Sequence, residues 1–247
     1  MTLQWLLHNI VKVAQYGQGI GYAGRPNSRA DKAVLQLVKT DAPVIFDVGA
    51  NRGDYLHLAL TRLSQRHPSV HSFEPGSAAF AELQQRFGQH DRVSINNLAL
   101  GSQPGLLALY YDTPGSELSS LYRRRLHHHG KLFAGSEQVC VDTLDNYCAT
   151  RGIDHIDLLK LDVEGHELEV LKGAMQLFQR AAIRTVSFEF GGCNIDSRTF
   201  LRDFLDFFAA QRMNVARVTA TGRLYRITRY EEALEQFRTT CFVAQQD

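Results

Sequence analysis

The chain has 247 residues, 44% hydrophobic and 21% charged, with a formal net charge of +1. That is ordinary for a soluble globular protein with a sizeable core, and so even a charge balance gives no argument for a nucleic-acid partner. The four cysteines include no C-x-x-C pair, which excludes the usual zinc spacing and a dense disulfide framework.

The chain opens MTLQWLLHNIVKVAQYGQGIGYAGR. Its apolar run is broken by His8, Asn9 and Lys12, too short and too polar for a bilayer span. It lacks the basic start and small-residue cleavage site of a signal peptide. With scattered thiols, a cytoplasmic location is expected. Trp5, Leu6, Ile10 and Val13 recur near helical spacing. The helix they form is expected to pack on the main domain, with membrane-surface or dimer contact as the alternative. "GQGIGYAGRPNS" reads as a turn-rich link, followed by a short helix from Arg29 to Val38. Residues 1–40 are thus expected to be an N-terminal helical extension, and 41–247 the main domain.

From there strands and helices alternate. "PVIFDVGA" is an apolar run bounded by Pro43 and Gly49, a buried strand. "YLHLALTRLSQRH" is helical, "SVHSFEP" a second strand, and "SAAFAELQQRFG" a helix capped by Ser77 and stopped by Gly88. "RVSINNLAL" reads as a third strand. "GLLALYYD" and "QVCVDTLDNY" read as extended segments flanking a polar insertion, around 105–140. "IDLLKLDVEG" is a fourth main strand and "HELEVLKGAMQLFQ" one helix. "RTVSFEFGG", an amphipathic helix over "SRTFLRDFLDFFAAQ", and three closing strands complete the chain. Alternating βαβ units imply an α/β fold, a mostly parallel sheet with helices on both faces. Ligands of such sheets sit at the carboxyl ends of the strands. The residues there are Asp47 to Gly49, Glu74, Asn97 to Ala99, Asp162 to Glu164, and Glu189.

The turn "IFDVGANRGD" departs from a dinucleotide fingerprint, G-x-G-x-x-G. Asn51 stands where the second glycine belongs and Asp54 where the third does. Asp47 and Asp54 add negative charge, which a pyrophosphate tolerates badly. A ligand carrying ammonium and sulfonium groups, such as S-adenosylmethionine, would welcome it. Glu74, ending the second strand, can accept both hydrogen bonds of a ribose diol. In "LLKLDVEGHELEVLKGA", acids at a helix start favour the macrodipole, which accounts for Glu167. It accounts poorly for Asp162, which follows an apolar strand and needs a partner or a purpose.

The segments "FDVGANRGDY", "FEP", "NNLALGS", "GSELSSL", "VDTLDNY", "IDLLKLDVEGHELEVLKGA" and "SFEF" run in order over roughly Val44 to Phe190. In them the chain resembles the FkbM family of S-adenosylmethionine-dependent methyltransferases. The resemblance implies a class I methyltransferase (Rossmann-like) fold and O-methylation of a hydroxyl on a sugar, glycan or small natural product. It places the cofactor motif on Asp47, Gly49, Asn51 and Gly53, the ribose on Glu74, and the adenine near Asn97 and Ala99. Ser116, Ser119 and Ser120 fall in a loop beside the site. It supports Asp162 and Glu164 as catalytic residues more firmly than His166. The N-terminal segment and "YRRRLHHHGK" lie outside it.

Methyl transfer is an in-line displacement, and a base must take the hydroxyl proton as the bond forms. Asp162 and His166 are the candidates. His166 has the better ordinary pKa, though a histidine in a first helical turn is commonly a surface residue. Asp162, Glu164, His166 and Glu189 could also offer ligands to Mg²⁺ or Mn²⁺, but their spacing is not diagnostic and no metal is favoured. In the insertion, Arg123, Arg124, Arg125 and Lys131 flank three histidines. They form either a solvated basic loop or a lid for an anionic acceptor. Tyr122, Arg123 and Glu189 are the acceptor-binding candidates. The basic stretch is short and carries no nucleic-acid-binding module, so no nucleic acid is expected. Two rivals stay open: a nicotinamide-dependent oxidoreductase, and a non-catalytic binding protein on a methyltransferase scaffold. The N-terminal helix leaves room for a homo-oligomer.

Overall fold

A computed structural model describes residues 2–22 and 28–246. The chain starts with α1 (Leu3–Gly17) and α2 (Arg29–Leu35). It continues through β1 (Val44–Val48), α3 (Asp54–Arg62), β2 (Ser69–Phe73), α4 (Ser77–Phe87) and β3 (Val93–Asn96). Then come β4 (Ala99–Leu100), β5 (Gly105–Tyr111), β6 (Gly135–Asp142), α5 (Leu144–Arg151) and β7 (Ile156–Leu161). The remainder is α6 (Glu167–Lys172), α7 (Met175–Gln179), β8 (Ile183–Phe190), α8 (Cys193–Ser197), α9 (Leu201–Ala210), β9 (Met213–Val218), β10 (Leu224–Arg226) and β11 (Thr240–Gln246).

Eight strands form the main sheet, in the order β10-β9-β11-β8-β7-β1-β2-β3. The run from β8 to β3 is parallel, and β11, β9 and β10 close it antiparallel. The chain leaves β1 towards β2 on one side and returns as β7 on the other. The crevice above the β1–β7 junction is therefore the switch point where such sheets bind ligands.

Strand alternation divides the core in two. Phe46 and Val48 of β1 join Phe73, Tyr147, Leu171, Phe188 and Phe204 on one face. Ile45 faces the other way, onto Ala30, Val34, Tyr55 and Leu56 from α2 and α3. β7 is buried along its whole length, as a central parallel strand must be. Its Asp157 is satisfied there, accepting from the Val44 amide and the Thr40 hydroxyl, both at 2.9 Å.

Four expectations change. "RVSINNLAL" is not one strand: β3 ends at Asn96 and β4 joins a separate three-stranded sheet, β4-β6-β5. Asn97 turns the chain between them, its side-chain amide donating to the Glu74 and Pro75 carbonyls at 2.9 Å each. The extended reading of "QVCVDTLDNY" fails after Asp142, because the Thr143 hydroxyl accepts the Asn146 amide at 3.1 Å and starts α5. The helix over 166–179 breaks at Gly173, where a Cβ would stand 2.0 Å from the Gly101 carbonyl oxygen.

The fourth concerns α1. No residue of it is buried, and Leu3, Leu6, Leu7, Ile10, Val11 and Val13 are exposed. What ties its end to the domain is polar: Gln15 donates to Gln236 at 2.8 Å and Arg217 donates to Gln18 at 2.9 Å. Among the described residues the expected apolar packing of α1 on the domain is absent. Among the described residues no helix is long and apolar enough to cross a membrane. The link read over 17–28 lies partly outside the described residues.

Gly173→Ala is expected to lower stability by about 1–3 kcal/mol, the cost of overpacking a tight backbone contact. A urea unfolding midpoint checks this, and an unchanged midpoint would show that the contact yields freely.

Candidate active site

After β1 the chain turns through Gly49, Asn51 and Gly53, all left-handed, with φ of 84°, 45° and 85°. The Gly49 and Ala50 amides donate to the Phe73 carbonyl at 3.0 and 2.9 Å, folding the turn over the end of β2. A Cβ on Gly49 would stand 1.9 Å from the Asp162 carbonyl oxygen. Only glycine lets the ends of β1 and β7 come this close. Gly53 serves packing instead: a Cβ there would lie 2.6 Å from Leu83 and Phe87 of α4.

This turn borders a cavity of about 550 Å³, counted with its open mouth. Gly49, Asn51, Glu74, Asp162, Glu164 and His166 line it, with Leu98, Ala99 and Leu109 as an apolar wall. Ser116, Ser119 and Ser120 close the side facing the insertion. Backbone bonds in both directions between Tyr110 and Ser120, 2.8 and 3.0 Å, hold that segment on β5.

Glu74 is 6% exposed, and its two oxygens accept the Asn51 and Gly76 amides at 2.9 and 2.8 Å. Burial pushes its carboxyl up to about 7 against those bonds. Asn97, expected near an adenine, instead buttresses the end of β2. Ala99 does line the cavity. Asp47 does not: it is fully buried beneath it, with Lys160 Nζ 3.4 Å from its Oδ1. Burial raises the Asp47 pKa and Lys160 opposes that.

Asp162 lies on the wall of this cavity and of a smaller one beside it, which Glu164, Glu167, Glu189, Arg124 and Cys193 also line. Glu164 has φ 52°, sparsely populated backbone of the kind held at functional sites. Two contacts hold it. The Ser120 hydroxyl donates to its carbonyl at 2.7 Å, and Arg124 pairs with its carboxylate. Burial drives the Glu164 carboxyl up to about 8 while Arg124 pulls it down. His166 is buried, not a surface residue, with Nδ1 lacking any hydrogen-bond partner. Burial lowers it to about 4, so it is neutral at physiological pH. Tyr122 packs 5.7 Å from its ring and faces an outer groove. Glu189 borders the smaller cavity, and burial raises its carboxyl well above the usual range.

The Arg run reads differently in three dimensions. Arg123 is exposed and lines neither cavity. Arg124 is the buried one, pairing with Glu164 and, at 3.8 Å, with Asp196. Lys131 pairs with Asp112 at 2.6 Å. Much of the insertion's positive charge is thus spent within the fold. Sequence reasoning also missed the work of Glu167. Its Oε1 accepts the Val163 and Gly165 amides at 3.1 Å each, clamping the turn after β7. A first-turn acid two residues beyond a glycine was the available signal.

An acid-edged, partly apolar cavity at the switch point, with a glycine turn but no glycine-rich phosphate cradle, is the site of a methyltransferase of the class I α/β type. The methyltransferase FkbM domain matches residues 47–216. The chain belongs to the FkbM family of S-adenosylmethionine-dependent methyltransferases. It is 26% identical over 178 residues to 2-O-methyltransferase NoeI of Sinorhizobium fredii, a match covering 67% of this chain and 70% of that one. It is 33% identical to methyltransferase sdnD of Sordaria araneosa, over 53% of this chain and 60% of the relative. It is 30% identical to 31-O-demethyl-FK506 methyltransferase FkbM of Streptomyces tacrolimicus, over 53% and 58%. The matched region spans about six to seven tenths of each of these relatives. A methyltransferase FkbM from Methylobacillus flagellatus is similar in structure, with TM-score 0.48 and 16% identity over 82% of this chain and 43% of that one.

Glu74, Glu164 and Glu167 sit at about 7, 8 and 7 in the fold, against an ordinary 4.5. Between those values the folded chain holds protons that the unfolded chain has released. The contribution of these three groups to folded stability therefore falls as pH rises through about 4.5 to 8, opposed below about 6.5 by His71 and His166, which burial holds at about 4. Thermal midpoints recorded from about pH 6.5 to 8 are expected to decline, and Glu167→Gln to flatten the decline. A variant curve parallel to wild type would remove Glu167 from the groups responsible.

Proposed function

We propose that this chain transfers a methyl group from S-adenosylmethionine to a hydroxyl of a sugar, glycan or small natural product. The observation that carries this reading is the presence of both Glu74 and Asp162 in the lining of one cavity. Glu74 is fixed by two backbone amides at one end, and Asp162 stands at the junction with a second, acid-lined cavity. Two of the relatives bear names that specify oxygen as the methylated atom, 2-O and 31-O, and this supports a hydroxyl acceptor.

The residues present suit the cofactor. Glu74 can take the ribose diol, while Leu98, Ala99 and Leu109 offer an apolar slot for a base. The acids at the β7 end suit ammonium and sulfonium charge. Once bound, the cofactor supplies an electrophilic methyl group on sulfur. The protein supplies alignment and a proton acceptor. Asp162, on the cavity wall, takes the hydroxyl proton in this reading, and neutral His166 lines the same cavity. The Ser116 to Leu121 segment limits water at the site. Among the described residues no three His, Cys, Asp or Glu side chains come together as a metal-binding group. The acids around the turn give no support to a pyrophosphate or to a nicotinamide cofactor.

Calorimetric titration with S-adenosylmethionine, with NAD⁺ as control, tests the cofactor, and turnover on a panel of hydroxylated acceptors tests the activity. Glu74→Ala is expected to weaken cofactor binding by about 1.5–3 kcal/mol, the scale of hydrogen bonds to a charged group. Unchanged affinity would remove Glu74 from the ribose site. Asp162→Asn is expected to cut turnover far more than cofactor affinity. If both fall together, Asp162 binds the cofactor and is not the base.

A further inference from the structure

Lys160 is absent from every role described so far, yet it is the cation at the centre of the site's foundation. It lies on β7 directly opposite Asp47 in the register of β1 and β7. Residues opposed in a parallel pair project to the same face, so the two side chains meet by construction. Asp162, two residues further along, projects to that face as well. The Lys160 ammonium stands 3.4 Å from Asp47 Oδ1 and 3.3 Å from Asp162 Oδ2. It also lies 4.7 Å from the centre of the Tyr55 ring, a favourable seat for a buried cation.

The two carboxylates are not equivalent. Asp47 is closed from water, and neither of its oxygens has a hydrogen-bond partner apart from this ion pair. The Asp162 side chain is 35% exposed and lines the cavity. Lys160 therefore spans from a carboxylate that can meet nothing else to one that meets the ligand. Its contact with Oδ2 leaves Oδ1 outside this ion pair. The groups facing it from neighbouring elements are Asp31 of α2, Tyr55 of α3 and Glu189 of β8, so it is one cation set among several acids.

We propose that Lys160 is a positioning residue for methyl transfer: anchored by Asp47, it holds the Asp162 carboxylate turned with one oxygen towards the acceptor. The inference rests on the reading of Asp162 given above. Lys160→Met alone would strand buried Asp47 without a partner and could unfold the chain. The test therefore uses Lys160→Met combined with Asp47→Asn, beside Lys160→Arg. Both variants are first checked for a native thermal unfolding transition. Turnover of the folded double variant is expected to fall by at least about tenfold, the scale of a displaced general base. The KM for S-adenosylmethionine should change little, and Lys160→Arg should keep most of the turnover. Unchanged turnover in the folded double variant, with turnover lost in Asp162→Asn, overturns the inference. Unchanged turnover in Asp162→Asn itself overturns Asp162 as the base.

Discussion

The Gly49 Cα lies so close to the Asp162 carbonyl that no side chain fits between them. This single approach brings the ends of β1 and β7 together at the point where the sheet changes direction. It sets Asp162 on the wall of the cavity that Glu74 also lines. It also lets the amides of Gly49 and Ala50 reach the Phe73 carbonyl, so the turn is fastened to β2 at the same time. Backbone contacts thus lock three strand ends, and the side chains of Glu74 and Asn97 reinforce the end of β2.

The acids around the cavity are costly residents. Burial opposes the charge on Glu74, Glu164, Glu167 and Glu189. Each is retained by a specific contact or faces a cavity. Glu74 rests on two amides and Glu167 on two more, while Glu164 rests on Arg124. A purely structural turn would achieve the same geometry with neutral side chains. Carboxyl groups kept in a cavity against their desolvation are the mark of a site whose ligand is positive, hydroxylated, or both.

The parallel strands, the glycine turn and Glu74 were legible because each leaves a local mark: an apolar run, a missing fingerprint glycine, an acid followed by proline. What was illegible depended on pairing between distant segments. Asp47 reads as an acid of the cofactor turn, and nothing local shows that the register opposes it to Lys160, over a hundred residues away. In three consecutive arginines no period says which one turns inward, and Arg124 does so because Glu164 and Asp196 await it. The division of "RVSINNLAL" into two sheets depends on carbonyls of Glu74 and Pro75 that Asn97 can reach only once β2 is in place. The apolar face of α1 was visible as a pattern, but its outward orientation follows from polar contacts made by Gln15 and Gln18 at its far end.

Glu164 is gripped twice by the insertion, by Ser120 at its backbone and by Arg124 at its side chain. The side of the cavity formed by the insertion and the turn after β7 are therefore mechanically one piece. A molecule that pushes the serine segment aside must also tug the loop bearing Asp162. The two walls then move as a unit: whatever loosens the serine segment also disturbs the side chains that the turn after β7 presents to the cavity.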